Sequence, residues 1–221
     1  MDNVPEIIKA EKIAWSDLLH DVSFSVTKGS MTVIITAKEE VDAWLARLIL
    51  GFIDPDRGEF SVFGNTPSSL TGNKLYEFRK RIGLVYANGG LISNLKIWEN
   101  VTLPLSYMTR LNDAEIEKIG SSALKRVGYP GKLMQLPGHT PFHHKKMAGF
   151  ARAMLMDPEL MVYESPLLGL NHEERRLFIN TAMEFHGEKD GRTSLFISSS
   201  PDILPMMKAA RVIQINQGLL S

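Results

Sequence analysis

The feature that most constrains this chain is a strand that runs almost directly into a helix near its start. Met31–Thr36 reads MTVIIT, β-branched and nearly all apolar, as expected of a strand covered on both faces. Glu40–Leu50 then repeats apolar residues at Val41, Trp44, Leu45, Leu48 and Ile49, which mark one helical face. Short apolar runs alternate with helical patterns through much of the remainder, so the expected fold class is α/β. Further strands are expected at Glu6–Ile13, Asp21–Val26, Glu59–Phe63, Ile82–Tyr86, Glu159–Tyr163, Thr193–Ser198 and Arg211–Ile215. Helices are expected at Lys74–Arg81, Asp113–Val127 and Lys145–Met156, and another is capped by Asn171 with Glu174 three residues on.

The middle of the chain breaks this rhythm. From Asn88 to Gly149 no good strand appears, and a loop rich in Pro, Gly and His runs from Pro130 to His144. The expected organisation is one domain: a core of residues 1–87 and 150–221, with a helical lobe inserted at about 88–149. A chain of 221 residues, 44% of them apolar, is long enough to bury a sizeable core.

Composition removes several function classes. Twenty-five basic and 25 acidic residues cancel, which argues against a nucleic-acid partner. Cysteine is absent, so disulfides, thiolate metal sites and a cysteine nucleophile are excluded. The first residues lack the basic-then-apolar order of a signal peptide. The longest apolar stretch, Leu45–Ile53, is interrupted by Arg47 and Gly51 and falls far short of the ~18 residues a membrane helix needs. The expected location is cytoplasmic, peripheral to a membrane only through a partner.

Five stretches carry a family resemblance: Leu19–Gly29 (LHDVSFSVTKG), Leu48–Gly64 (LILGFIDPDRGEFSVFG), Ile82–Leu105 (IGLVYANGGLISNLKIWENVTLPL), Ala151–Glu164 (ARAMLMDPELMVYE) and Pro166–Leu170. In order and spacing the chain resembles the ATP-binding subunit of ABC transporters. Glu99-Asn100-Val101 with Leu103-Pro104-Leu105, and the Lys145-Lys146 pair, look most like the Mla/Mce-type branch that serves lipid transport. The resemblance implies a P-loop NTPase-like core with a mixed sheet and flanking helices.

The nucleotide chemistry of that family is missing at motif after motif. Its phosphate-loop pattern G-x-x-G-x-G-K-[ST]-[ST] aligns with Thr36–Trp44, TAKEEVDAW, so every glycine is gone. Asp42 stands at the lysine position, Ala43 at the magnesium-binding hydroxyl, and Trp44 follows. Glycines let successive backbone N–H groups face phosphate oxygens, and the lysine adds charge. Here Lys38 stands against Glu39, Glu40 and Asp42, a net charge of −2. Exchanging Lys for Asp replaces an attraction by a repulsion, each on the order of 4 kcal/mol at ~4 Å and an effective dielectric of ~20.

The other family positions follow suit. Ala87 replaces the Q-loop glutamine, and Thr140-Pro141-Phe142-His143-His144 replaces the signature, with Phe142 and His143 at its glycines. Glu164-Ser165 replaces the Walker B Asp-Glu pair, so one carboxylate survives and the implied general base does not. Asn171 stands at the D-loop aspartate and Ser199 at the switch histidine. Since the family sandwiches ATP between one subunit's cradle and the other's signature, neither a homodimer nor a heterodimer with an active subunit would complete a site. The expectation is a pseudo-ATPase with no catalytic residue, no resident metal and no cofactor. It would be a structural or regulatory part of a transporter, docked to a membrane permease through Asn88, Leu91, Ile92, Trp98 and Leu103. The alternatives are a divergent active ATPase, with Mg-ATP and Lys38 or a partner's arginine as replacement cation, and a soluble adaptor that reuses the fold.

Several residues have plainer readings. His139, His143 and His144 fit a solvated loop better than a metal cluster, because Pro141 interrupts them. Ser198–Ser200 reads as a strand-end turn, since no G-x-S-x-G elbow accompanies it. Glu164 suits capping beside a helix N-terminus, and Trp15 suits packing in place of the family's adenine stack. Trp98 is open between lobe packing and partner contact. Glu39, Glu40 and Asp42 form a sharper hypothesis: placed at a helix N-terminus, they would supply internally the negative charge a phosphate would bring.

Overall fold

A computed structural model describes residues 4–216 and 219–220. The strands are β1 Glu6–Trp15, β2 Leu19–Thr27, β3 Met31–Ile35, β4 Arg57–Val62, β5 Ile82–Val85, β6 Leu160–Glu164, β7 Thr193–Ser198, β8 Arg211–Asn216 and β9 Leu219–Leu220. The helices are α1 Glu39–Ile49, α2 Gly72–Lys80, α3 Ile97–Met108, α4 Asp113–Arg126, α5 Phe142–Met154 and α6 His172–Gly187.

They form two sheets. β2, β1 and β4 make an antiparallel sheet. The second runs β5-β6-β7-β3-β8-β9, parallel through its first five strands, with β9 antiparallel to β8. β3 is the doubly covered strand its sequence announces: Val33, Ile34 and Ile35 are all buried. Its two faces feed different cores. Ile34 packs with α1 and the antiparallel sheet, and Val33 and Ile35 pack with α3, α5 and α6. α1 buries Val41, Trp44, Leu45, Leu48 and Ile49, the stripe read from the sequence.

The lobe differs from expectation in two places. α3 lies where no helix was expected, because Pro104 interrupts the helical pattern and removes a backbone donor. Buried Asn100 anchors it. Its Nδ2 donates to the Ile92 and Leu95 carbonyls, and its Oδ1 accepts from the Ile92 N–H. That side chain thereby fixes the loop that precedes α3. The second difference is the start of α5, at Phe142 with Pro141 as its cap, so the supposed loop Pro130–His144 ends inside a helix. α5 crosses residue 149 unbroken, and Gly149 sits so close to Gly89 that a Cβ there would come within 2.3 Å of the Gly89 carbonyl. Lobe and core are joined by a continuous, tightly packed helix.

Candidate functional site at the strand ends

β3, β7 and β6 are parallel neighbours, so the residues that follow them, Thr36, Ser199 and Ser165, emerge at the same sheet edge. In open parallel sheets that carboxyl edge is where ligands bind. α1 starts there too, capped by Lys38 with no side-chain cap bond. Glu39 and Glu40 occupy its first turn and are exposed, whereas Asp42, one turn in, is 0% exposed.

The Asp42 carboxylate faces back toward the strand ends and joins all three. Thr36 Oγ1 donates to Oδ1 at 2.5 Å, Ser165 Oγ donates to Oδ2 at 2.7 Å, and the Ser199 N–H donates to Oδ2 at 2.9 Å. Burial pushes this carboxyl above its ordinary range and the nearby Glu39 adds to the rise, while the three hydrogen bonds oppose it. All three donors are neutral. Asp42 alone among the three acids is turned inward, and its three donors lie at the strand ends, none of them an α1 N–H. Glu39 and Glu40 face solvent and suit the helix dipole from outside.

Ser165 is held from several sides. Its backbone is left-handed, at φ 41°, and its N–H donates to the Ile197 carbonyl. Its own carbonyl accepts from Lys146 Nζ at 2.7 Å, and the same amine donates to the Leu168 carbonyl at 3.1 Å. Lys146 is 0% exposed on α5, and burial lowers its pKa to about 7 against the opposing pull of Glu164. Sequence reading took Lys145-Lys146 only as a family mark. The missed signal is that Lys146 opens the run Met147–Ala151, which is buried throughout.

The remaining positions resolve individually. Glu164 ends β6 half-buried and accepts a hydrogen bond from the Ala87 backbone, which ties the end of β6 to the segment after β5. Burial and the Asp42 charge push its carboxyl up. Trp15 stacks on Trp44 with centroids 5.1 Å apart and planes 14° apart. The ring the family would place on adenine thus packs on Trp44, the last residue of the stretch aligned with the family's phosphate loop. Ala43 is half-buried beside it, and the Lys38 side chain is exposed. Asn171 caps α6 in a reciprocal box with Glu174. Ser198 and Ser200 bond to one another as a strand-end turn.

His143 and His144 lie in the first turn of α5, not in a solvated loop. Their rings are 4.1 Å apart, His144 also meets Tyr129, and His143 Nε2 is 3.5 Å from Glu174. Among the described residues no group of three His, Asp or Glu is placed to hold a metal ion. Nor is any helix among them long and apolar enough to cross a membrane. Of the expected docking residues, Asn88 and Ile92 are exposed, and Leu91, Trp98 and Leu103 are half-buried. An exposed apolar patch over Leu91–Trp98 is not formed, because Ile97 is in the core and Leu95 is partly covered.

No protein-family model matches the chain. Sequence relatives do. The probable ribonucleotide transport ATP-binding protein mkl of Mycobacterium leprae is 25% identical over 205 residues, 93% of this chain and 57% of that protein. The intermembrane phospholipid transport system ATP-binding protein MlaF of Haemophilus influenzae is 30% identical over 149 residues, 67% of this chain and 56% of its own length. The chain thus spans little more than half of either relative. Among solved structures, the dimeric bacterial ABC transporter cassette MJ0796 superposes with a TM-score of 0.84 at 19% identity, covering 97% of this chain and 96% of that one. By sequence relationship the chain is similar to the ATP-binding subunits of ABC transporters, and by fold it is an ABC-type cassette.

Proposed function

We propose that this chain is a transporter subunit whose nucleotide site has been replaced by an internal hydrogen-bonded plug, and that it serves a membrane permease as a structural or regulatory component. The observation that carries the reading is the buried Asp42 carboxylate, held by Thr36, Ser165 and Ser199. A phosphate needs donors and cations at this edge. Here the donors are taken by a carboxylate; Lys38 meets the cluster only through its backbone carbonyl, which accepts from Thr36 Oγ1 at 3.2 Å, while its side chain is exposed. The donor set does not fit Mg-ATP, so no catalytic step is assigned and no cofactor is expected. The MlaF relatives' names favour lipid transport as the setting.

A permease would be met through the loop ordered by Asn100, where Asn88 and Ile92 are exposed. The chain would act there as a homodimer or beside a second ABC-type subunit, and no nucleic acid is involved. The second reading, a divergent ATPase, is favoured by the ATP-binding designation of every relative named above. Affinity capture from detergent-solubilised membranes, followed by an ATP turnover assay on the purified chain, separates them. The plugged subunit brings down a membrane permease and shows no turnover above buffer. Saturable turnover establishes the ATPase instead, and capture of soluble partners only would make the chain an adaptor.

A further inference from the structure

α4 borders two concavities. The cleft toward α3 holds Trp98 and Leu103, both expected docking residues, with Glu99, Asp113 and Glu117 along its rim. A second groove opens between α4 and the ends of α5 and α6, with a volume of about 480 Å³. The two share no lining residue, and none of the expected docking residues lines the second. Its volume falls within the ~300–1,000 Å³ of small-molecule sites.

Apolar and polar groups are segregated in this second groove. Leu111, Ile119, Met154, Leu155 and Phe185 supply an apolar wall. The polar lining comes from α4 alone: Glu115, Lys118, Ser122 and Arg126 recur three or four residues apart, so they form one ridge along the helix. The two ends of the ridge are already engaged. Glu115 Oε2 accepts the Asn112 N–H in the capping box of α4. Arg126 Nη1 donates to Glu188 Oε2 at 2.6 Å, and its guanidinium lies 5.0 Å from the Phe185 ring centroid. The middle of the ridge is not engaged. Among the described residues Lys118 and Ser122, one turn apart, make neither a hydrogen bond nor an ion pair.

We propose that this groove binds a free single-chain anionic amphiphile, an alkyl carboxylate of the fatty-acid class. The Lys118 ammonium and the Ser122 hydroxyl donate to the carboxylate, a charge-assisted pairing that neither residue has within the chain. The alkyl chain lies on the apolar wall, where the flexible Met154 adapts to its course. With Arg126 committed to Glu188, Lys118 is the cation left for the ligand, which suits a singly charged head better than a doubly charged phosphate. The proposal does not rest on the Asp42 cluster, whose donors are Thr36, Ser165 and Ser199.

The test is a calorimetric titration of the full chain with dodecanoate below its micelle concentration, with backbone NMR to locate the site. Dodecanol and dodecyltrimethylammonium are the controls of equal chain length. Saturable binding of dodecanoate is expected, with shifts confined to α4 and the ends of α5 and α6, and both controls should bind at least ~10-fold more weakly. Lys118 is exposed, so its substitution leaves the fold intact. Lys118→Met should weaken dodecanoate several-fold and leave dodecanol unchanged. Lys118→Glu should invert the preference toward dodecyltrimethylammonium, a response that a merely structural lysine would not give. No saturable binding, equal binding of the three heads, shifts outside the groove, or indifference to both substitutions would overturn the proposal. So would binding to phosphatidylglycerol vesicles without binding of the monomer.

Discussion

Two sets of carboxylates divide this molecule. Asp42 points inward and accepts three hydrogen bonds, while Glu99, Asp113 and Glu117 line an open cleft and, among the described residues, make no ion pair. A polar group satisfied internally has no capacity left for a ligand; an unpaired charge beside apolar surface has capacity to spare. If Asp42 plugs the strand-end site as proposed, the chain's interactions fall to the lobe, the reverse of what ABC-type subunits lead one to expect.

The comparison is broken most directly at Asp42. Asp42→Lys restores the family's residue, but puts an ammonium against the Ser199 N–H in a buried site. It should cost roughly 3–5 kcal/mol in urea unfolding and confer no ATP affinity. Near-native stability together with new ATP binding would show that the cluster is an accommodating pocket and not a plug.

Next in size is Lys146. Its amine is held neutral in the fold down to about pH 7, but takes a proton near its ordinary 10.5 when unfolded. The unfolded state then binds more protons across that window, so stability should rise as pH rises from about 7 to 10.5. Lys146→Met should lose that slope. It also leaves the Ser165 and Leu168 carbonyls without their donor, at roughly 1–3 kcal/mol. A parent protein with flat stability over this range would contradict the burial argument.

On the acid side the sign reverses. The Asp42 carboxyl keeps its proton to a higher pH in the fold than its ordinary 3.8, so stability should fall as pH climbs above 3.8 through the raised value. Glu164 contributes in the same direction. Thermal unfolding across this range should show a shallower fall in Asp42→Asn, with Glu164 supplying what remains.

The smallest effect sharpens the contrast. Glu117→Gln should leave stability within about 0.5 kcal/mol, because it removes an exposed charge with no partner. A large destabilisation there would mean that the rim carboxylates are structural as well.

Much of the fold was legible in the sequence because its signals are local. The α1 stripe, the Asn171–Glu174 box and the two-faced β3 each lie within a few residues. α3 was not, because Pro104 is a local signal against helix that tertiary packing overrides, and the start of α5 was not, because Pro141 reads as loop although proline is tolerated where a helix begins. Each altered motif position was visible singly. Their assembly was not: Asp42 is separated from Ser165 by 123 residues and from Ser199 by 157, and only the parallel order of β6, β7 and β3 brings them together. Lys146 was hidden by Lys145, since adjacent lysines look like surface while helical geometry turns only one of them inward.

The central claim is that Asp42 closes the nucleotide site, and calorimetric titration of the purified chain with Mg-ATP tests it most directly. The account predicts no saturable heat up to millimolar nucleotide, with the chain alone or with its captured partner. Micromolar binding would contradict it, because Asp42 would then have to leave Thr36, Ser165 and Ser199 to admit a phosphate.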